Sequence, residues 1–336
     1  MNILLTGGAG YIGSHTCISL IEAGHDVVIV DNLSNSSEIV LDRILKITNY
    51  MPFFYNIDIN DKRALSNVFE KHSIDAVIHL AGLKAVNESI LNPEKYYENN
   101  VVGTINLVNT MKSFGCKKLV FSSSATVYGV PEVIPLVETA HLKPLNPYGR
   151  SKLIVEDFLS DIFTSDNEWK IITLRYFNPI GAHKSGLIGE DPKGIPSNIM
   201  PFICQVASKK LERLSIFGND FNTNDGTGIR DFIHIQDLSD AHLRSLENIN
   251  SVKDHLFLNI GTGKGYSVLQ LVETFEKVTS KNIPYIFTDR RDGDIDICFA
   301  NADKANKFLD WSTSKDLKDM CRDAWRWQLN NPKGYN

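Results

Sequence analysis

The 336-residue sequence lacks several features that mark particular classes of protein. It has no run of about 18 apolar residues, so no membrane span is expected. It begins directly on the strand-like NILLT, without the basic start and apolar stretch of a signal peptide, and we expect a cytoplasmic protein. Its net charge of −5 gives no positive field for binding nucleic acid or an anionic membrane.

Cysteine and histidine are too scattered to predict a disulfide framework or a metal site. The five cysteines are odd in number and form no close pair, so reduced thiols are expected. The nine histidines show no ligand spacing such as HxxxH, and we expect no metal. The remaining composition, 43% hydrophobic and 22% charged, is that of an ordinary globular protein.

Short apolar runs alternate with helical patterns in the first half of the chain. The runs lie at 2–6, 26–31, 53–58, 75–81, 118–123 and 170–176, and the helical patterns include 12–23, 94–114 and 150–163. Strands that are apolar almost throughout are typical of sheets covered on both faces. This alternation predicts an α/β fold with a doubly wound parallel, Rossmann-type sheet.

The pattern changes after about residue 178, where turn-rich stretches separate short elements, with further short strands at 231–236 and 284–289. We therefore expect a first, dinucleotide-binding domain at 1–178. A smaller mixed α/β substrate domain is expected at 179–336, with some chain crossing back to the first domain.

The glycine-rich stretch TGGAGYIGSH, residues 6–15, follows the first predicted strand and opens a helix. Gly7, Gly10 and Gly13 permit a tight turn and a close approach to a pyrophosphate at the helix N-terminus, although a plain turn would use glycine as well. Asp31 closes the second strand, where a carboxylate accepts hydrogen bonds from ribose hydroxyls and repels a 2′-phosphate. The pattern predicts NAD rather than NADP as the cofactor. Asp58, after the third strand, either reaches the adenine side or only forms a turn.

The stretch NPYGRSK, residues 146–152, predicts the start of a helix with Asn146 as N-cap. Tyr148 and Lys152 then share one helix face. An ammonium within about 4–6 Å favours a phenolate, and an oxidised nicotinamide would add a second positive charge, so Tyr148 could act as a general base. The plainer interpretation is an exposed tyrosine and lysine on a surface helix. Gly149 beside the tyrosine suggests close packing there.

Ser124 lies in SSSATVYG, at the carboxyl end of a predicted strand, where open parallel sheets bind ligands. It could bond a substrate hydroxyl and relay its proton to Tyr148. Serine at a strand end is often only a turn former, so this role depends on the tyrosine and lysine.

Together these motifs resemble the extended short-chain dehydrogenase/reductase family and, within it, the UDP-glucose 4-epimerases. The likeness runs almost end to end, and its further motifs are DNLSNS, LAGLKAV, YYENNVVGT, LRYFNPIGAH, GEDPKGIP, GTGIRDFIH and RRDGD. It implies that NAD stays bound, that Tyr148 takes the proton of the sugar 4-hydroxyl, and that the sugar passes through a 4-keto form. Lys152 would lower the tyrosine pKa and hold the nicotinamide ribose, and Ser124 would bridge O4 to Tyr148. A homodimer is also implied, with helices near 90–114 and 147–164 as candidate contacts.

The same resemblance assigns binding residues. The NAD site would comprise Ser124, Tyr148 and Lys152 together with Gly7, Gly10, Tyr11, Ile12, Gly13, Asp31, Asn32, Leu33, Ser34, Asn35, Ser36, Asp58, Ile59, Leu80, Ala81, Gly82, Leu83, Lys84, Asn99 and Phe177. The UDP-sugar site would comprise Lys84, Ser124, Tyr148, Asn178, Asn198, Ser215, Ile216, Phe217, Arg230, Arg291, Asp294 and Cys298. Lysine and arginine suit phosphates as a point charge and as a bidentate fork, although each arginine alone is more often in a surface ion pair.

Cys298 falls where some members of the family carry a tyrosine beside the sugar C2 substituent. A cysteine removes most of that ring volume. We therefore expect UDP-N-acetylglucosamine and UDP-N-acetylgalactosamine to be substrates as well.

Two rival functions use the same cofactor fold. A sugar-nucleotide 4,6-dehydratase carries an Asp-Glu pair after the serine-bearing strand, whereas this chain has Ala125 and Thr126 there; UDP-glucuronate decarboxylases tend to have an acid in this segment too. A non-catalytic NAD-sensing protein commonly lacks the tyrosine and lysine pair. The residues present favour the epimerase.

Overall fold

The computed structural model describes residues 1–194, 196, 198–291 and 293–335. The strands are β1 (Asn2–Thr6), β2 (Asp26–Asp31), β3 (Phe53–Asn56), β4 (Ala76–His79), β5 (Lys118–Ser124), β6 (Lys170–Tyr176), β7 (Asn178–Ile180), β8 (Leu214–Phe217), β9 (Ile229–Arg230), β10 (Phe232–His234), β11 (Leu256–Ile260), β12 (Tyr266–Ser267), β13 (Tyr285–Thr288) and β14 (Ile297–Cys298). The α-helices are α1 (Tyr11–Glu22), α2 (Ile39–Thr48), α3 (Lys62–Lys71), α4 (Val86–Leu91), α5 (Pro93–Tyr96), α6 (Gly103–Ser113), α7 (Pro147–Ser165), α8 (Ile199–Ala207), α9 (Ile235–Glu247), α10 (Val268–Thr279), α11 (Asp303–Leu309) and α12 (Leu317–Asn330).

A seven-stranded parallel sheet in the order β11-β6-β5-β4-β1-β2-β3 forms the centre of the structure, which confirms the predicted Rossmann-type fold. Residues of β1, β4 and β5 are almost completely buried because helices cover both faces. The third strand ends at Asn56, two residues earlier than predicted, because Asp58 closes a turn by accepting from the amide of Asn60 at 2.8 Å.

The seventh strand of this sheet comes from the second half of the chain. β11 pairs in parallel with β6, so that Leu258 lies opposite Leu174. Helix α9, also from the second half, packs against α1, and one apolar cluster extends from Ile3 to Tyr335. The proposed division into 1–178 and 179–336 stays a prediction.

The helical pattern predicted over 94–114 is divided into three parts. Between α5 and α6 the backbone widens into a π-helical turn, residues 97–102. Such turns occur frequently at functional sites. This one contains Asn99 and Asn100.

Among the described residues of the second half there are three small sheets, which pair β7 with β10, β9 with β12 and β14, and β8 with β13. The strands predicted at 231–236 and 284–289 correspond to β10 and β13. In the part of the chain that the structure describes, every helix is too short or too polar to cross a membrane.

Candidate functional site

The glycine-rich segment of residues 7–13 joins β1 to the first turn of α1 and forms a cradle with no room for a side chain at Gly7 or Gly13. A Cβ atom on Gly13 would lie 2.1 Å from the carbonyl oxygen of Gly7, and one on Gly7 would lie 2.8 Å from the amide nitrogen of Ala81. Gly7 also has a φ of 70°, in the left-handed region. Gly10 caps α1 without a side-chain bond, so the amide groups of the first turn can face an anion. The cradle therefore fits a dinucleotide pyrophosphate.

Asp31 lies at the end of β2 and is nearly buried. Its Oδ1 accepts from the Leu33 amide at 2.9 Å and from the Ser36 hydroxyl at 2.8 Å, while its Oδ2 accepts from the Ala9 amide at 3.0 Å. Each carboxylate oxygen accepts up to two hydrogen bonds, so Oδ2 retains capacity for a ribose hydroxyl. The negative charge here disfavours a 2′-phosphate, in agreement with NAD.

The residues after Asp31 are linked to the end of the third strand. Asn32 donates to Asp58 Oδ2 at 2.7 Å, and Leu33 takes a left-handed φ of 56°. Asp58 thus has the turn-forming role that the plainer interpretation gave it, and it also holds Asn32. Ile59, next to it, is buried.

The loop of residues 80–84 follows β4 and is fixed by Asn100. The Asn100 side chain accepts from the Leu83 amide at 2.8 Å and donates to the Leu83 carbonyl at 3.0 Å. It also donates to Ser151 Oγ at 3.0 Å, and that hydroxyl donates to the carbonyl of Tyr148. Asn100 was not predicted as a site residue; its neighbour Asn99 was. Both stand in the motif YYENNVVGT, where the sequence alone does not show which one faces the loop.

Tyr148 is placed by the first turn of α7. Asn146 accepts from the Gly149 amide at 2.9 Å, which confirms the predicted N-cap. A Cβ atom on Gly149 would lie 2.9 Å from the carbonyl oxygen of Thr126, so this glycine allows α7 to pack closely against the segment after β5. The Tyr148 side chain is buried. The interpretation of Tyr148 and Lys152 as an exposed surface pair is therefore wrong.

Ser124 ends β5 and faces the same region. Its hydroxyl oxygen accepts from the amide of Thr126 at 3.2 Å and from the Thr126 hydroxyl at 3.0 Å. Burial raises the pKa of Tyr148 above its ordinary value, and the neighbouring hydroxyl of Ser124 offsets part of that rise. The protein groups alone therefore keep the phenol protonated at neutral pH.

The ammonium group of Lys152 is buried at the carboxyl end of the sheet. It donates to the carbonyl of Ser122 at 2.8 Å and lies 5.0 Å from the centre of the Phe121 ring. A Cβ atom on Gly82 would lie 3.4 Å from its Nζ, so Lys152 also adjoins the 80–84 loop. Burial lowers the pKa of Lys152 to about 8.

Buried polar groups form hydrogen bonds with the two serines that precede Ser124 in β5. The Ser123 hydroxyl donates to Glu156 at 2.5 Å, and Glu156 forms an ion pair with Arg175 at 2.6 Å. Ser122 donates to Nε2 of His242 at 3.1 Å, because Nδ1 of this ring bonds the carbonyl of Leu238 and so carries the proton. The sequence analysis noted only Ser124 of these serines.

The second half of the chain brings several predicted substrate residues together. Arg230 contacts Asp294 at 3.0 Å, and the Arg291 guanidinium lies 3.8 Å from the centre of the Phe217 ring. Burial lowers the pKa of Arg291; the Asp294 charge acts against this and the Arg230 charge adds to it. Arg230 is thus in an ion pair, as the plainer interpretation expected. Its partner, Asp294, is itself one of the residues predicted for the UDP-sugar site. Ser215 and Ile216 precede Phe217 in β8, and Asn178 begins β7.

Cys298 lies beside these groups. It is the parallel register partner of Arg230, and its side chain packs with Phe177, Val127 and Tyr128. Burial raises its pKa to about 11, so the thiol is neutral and acts as a small apolar group.

Two further predicted residues, Lys84 and Asn198, meet at Glu190, which the sequence analysis did not single out. Lys84 contacts it at 3.0 Å, and Asn198 donates to the same oxygen. Burial raises the pKa of Tyr11, and the Glu190 charge adds to this effect. No spacing signal in GEDPKGIP distinguishes Glu190 from an ordinary loop carboxylate.

Comparisons with known proteins agree with this geometry. Residues 3–261 match the NAD dependent epimerase/dehydratase family. The chain is 54% identical over 335 residues to the UDP-glucose 4-epimerase of Bacillus subtilis, covering 100% of this chain and 99% of that one. Its structure is similar to that of the Stenotrophomonas maltophila UDP-glucose-4-epimerase with bound NAD and formylated UDP-arabinopyranose, with a TM-score of 0.97, 48% identity and 99% of each chain covered. It is also similar to the Bifidobacterium longum UDP-glucose 4-epimerase in complex with NAD+ and UDP, with a TM-score of 0.96, 46% identity and 99% and 100% covered.

Proposed function

The chain belongs to the NAD dependent epimerase/dehydratase family, and from that premise we propose that Ser124, Tyr148 and Lys152 carry out its reaction. The activity is NAD-dependent 4-epimerisation of UDP-hexoses, as in the full-length relatives at about half identity. The observation that supports the residue roles is the meeting of Tyr148, Lys152 and Ser124 at the carboxyl end of β5, beside a glycine cradle.

The residues that would hold NAD are those of the glycine loop, Asp31 and the 80–84 loop. When bound, NAD supplies the acceptor and donor for the hydride of sugar C4. Tyr148 takes the proton from O4 as that hydride leaves. It returns the proton after the 4-keto sugar has rotated in the site and presents its other face. Ser124 bridges O4 to the phenol. Arg230 and Arg291 hold the diphosphate during this rotation.

Electrostatics explains why the phenol reacts only in the assembled site. Burial raises the pKa of Tyr148, so without the cofactor the phenol is protonated at neutral pH and cannot accept a proton. The ammonium of Lys152, with a pKa of about 8, is mostly charged at pH 7 and would stabilise the phenolate, and the positive charge of bound NAD+ would act in the same direction.

An assay of the purified protein with UDP-galactose, without added NAD, tests this function. We expect conversion to UDP-glucose and release of NAD when the protein is denatured. Mass spectrometry distinguishes the rival reaction, because epimers keep the mass of the substrate while a 4,6-dehydratase product loses one water. A dehydrated product, or no turnover of any UDP-sugar by the NAD-loaded protein, would contradict the proposal.

We further propose that UDP-N-acetylhexosamines are substrates. Cys298 is small, buried and adjacent in register to Arg230, so the sugar end of the site lacks the ring that would occupy space beside a C2 substituent. The result expected is interconversion of UDP-N-acetylgalactosamine and UDP-N-acetylglucosamine by the unmodified protein.

A homodimer and a cytoplasmic location are also proposals. The helices from 86 to 113 and α7 carry apolar side chains that are exposed in the single chain: Ile90, Leu91, Val102 and Ile154. Pairing these helices across a two-fold axis would bury them in an isologous interface. Sedimentation equilibrium should give twice the mass of one chain, and Ile154→Asp should shift it toward the monomer.

A further inference from the structure

Glu190 connects Lys84, which was assigned to both ligand sites, with Asn198, which was assigned to the sugar-nucleotide site alone. Its carboxylate contacts the ammonium of Lys84, in the loop after β4, at 3.0 Å. The same Oε1 accepts from the side-chain amide of Asn198, from the sugar-nucleotide side, at 2.5 Å. The Glu190 side chain is only 8% exposed, while that of Lys84 is 44% exposed. The carboxylate is therefore buried, and the lysine reaches it from the solvent side.

Asn198 bonds Glu190 instead of capping the helix that it precedes. It occupies the N-cap position of α8, where an asparagine side chain commonly bonds the backbone of the first turn. Here it makes no such bond. Its amide donates to Glu190 instead, so the Asn198 side chain leaves the backbone N–H groups of the first turn of α8 uncapped.

The crossing segment, residues 189–194, is anchored by hydrogen bonds at both ends, and Glu190 lies between these anchors. At its base Gly189 exchanges hydrogen bonds with the Tyr335 hydroxyl, and Asp191 accepts from the Tyr335 amide at 2.8 Å. At its other end the ammonium of Lys193 donates to the carbonyls of Leu33 and Ser34, at 2.8 and 3.0 Å. The segment thus spans from the C-terminal region to the loop after Asp31.

A buried carboxylate in a crevice for two diphosphates needs a positive partner, because it would otherwise repel both ligands. We propose that Glu190 is a positioning residue that couples the two ligand sites, because it holds both Lys84, assigned to the cofactor and the sugar nucleotide, and Asn198, assigned to the sugar nucleotide. This inference rests on the proposed function, since it takes the two ligands from there. It predicts that a change on one side alters binding on the other.

The first test is Glu190→Gln, which keeps the shape and the acceptor for Asn198 but removes the charge that holds Lys84. We measure the rate of NAD loss during dilution and the KM for UDP-galactose. Each should rise about three- to tenfold, the effect of one lost polar contact, with kcat changed less than about twofold. The second variant, Asn198→Ala, should speed NAD loss by a similar factor although Asn198 lies on the sugar-nucleotide side.

Asp191→Asn is the matched control, because it removes one carboxylate from the same segment and keeps the bond to Tyr335. It should leave NAD loss and KM unchanged. The coupling would be overturned if Glu190→Gln left the rate of NAD loss or the KM for UDP-galactose unchanged. It would also be overturned if Asp191→Asn changed both values equally, or if Asn198→Ala retained NAD as well as the wild type does. Failure of the proposed function is distinguishable, since the wild-type protein would then lack bound NAD and turnover.

Discussion

Tyr148 is the residue on which the chemistry depends most directly. Replacing it by phenylalanine removes the proton acceptor and leaves the buried ring in place. We expect kcat with UDP-galactose to fall by about 10²–10⁴-fold, the usual contribution of a general base. Bound NAD, measured by its absorbance after denaturation, should remain near the wild-type amount. Full activity of Tyr148→Phe would show that another group takes the proton.

The buried ammonium of Lys152 predicts an alkaline limit to activity. Burial lowers its pKa to about 8, so the group is charged below that pH and loses its proton above it. The kcat/KM for UDP-galactose should therefore decrease above about pH 8, approaching about tenfold per pH unit. Lys152→Arg keeps a charge at all these pH values, so its residual activity should lack this limb. A wild-type profile that stays flat to about pH 10 would contradict the role of the ammonium.

The size of the side chain at position 298 should determine whether UDP-N-acetylhexosamines fit the site. Cys298→Tyr adds a ring beside Arg230 and should abolish turnover of UDP-N-acetylgalactosamine while UDP-galactose is still converted. The ratio of the two kcat/KM values is the measurement. Cys298→Ala, which stays small, should keep both activities. If the unmodified protein converted UDP-hexoses alone, the proposal that UDP-N-acetylhexosamines are also substrates would be wrong.

At the scale of the element, the first turn of α1 tolerates no side chain at Gly13, where it packs on the glycine-rich loop. In Gly13→Ala the added Cβ would meet the Gly7 carbonyl at 2.1 Å, so strand and helix must separate. We expect a loss of about 1–3 kcal/mol in the free energy of unfolding and a protein that no longer retains NAD. Urea titration and NAD content measure the two effects. Ser19→Ala, on the same helix and away from the loop, should leave both near wild type.

The elements differ in how far the sequence predicts them. The first six strands of the sheet are readable because strands covered on both faces are continuous apolar runs, and α7 is readable from its Asn-Pro start. The return of β11 to the sheet is not, since pairing between β6 and β11 joins residues about 80 apart and leaves no local pattern. The same holds in the site. Gly13 and Asp31 follow from a fixed spacing, whereas Asn100 and Glu190 gain their roles from contacts with distant loops.

At the scale of the whole molecule, the two halves of the chain share one core. Strand β11 covers the edge of β6, and α9 packs on α1. A fragment of residues 1–178 would expose that strand edge and the α1 face, so we expect it to lack cooperative unfolding in urea, measured by circular dichroism. The full chain is the control. A fragment that unfolds cooperatively would support an independent domain at 1–178.

The late arrival of β11 also has a consequence for the chain as it leaves the ribosome. Six strands of the sheet are complete by Tyr176, but the strand that pairs with the outer edge of β6 is not synthesised until residues 256–260. During that interval the edge of β6 presents unpaired backbone groups on an apolar strand, which is a template for pairing with other nascent chains. Slow translation between these two points would lengthen the exposure, and the yield of native enzyme in cells should depend on chaperones that shield this edge.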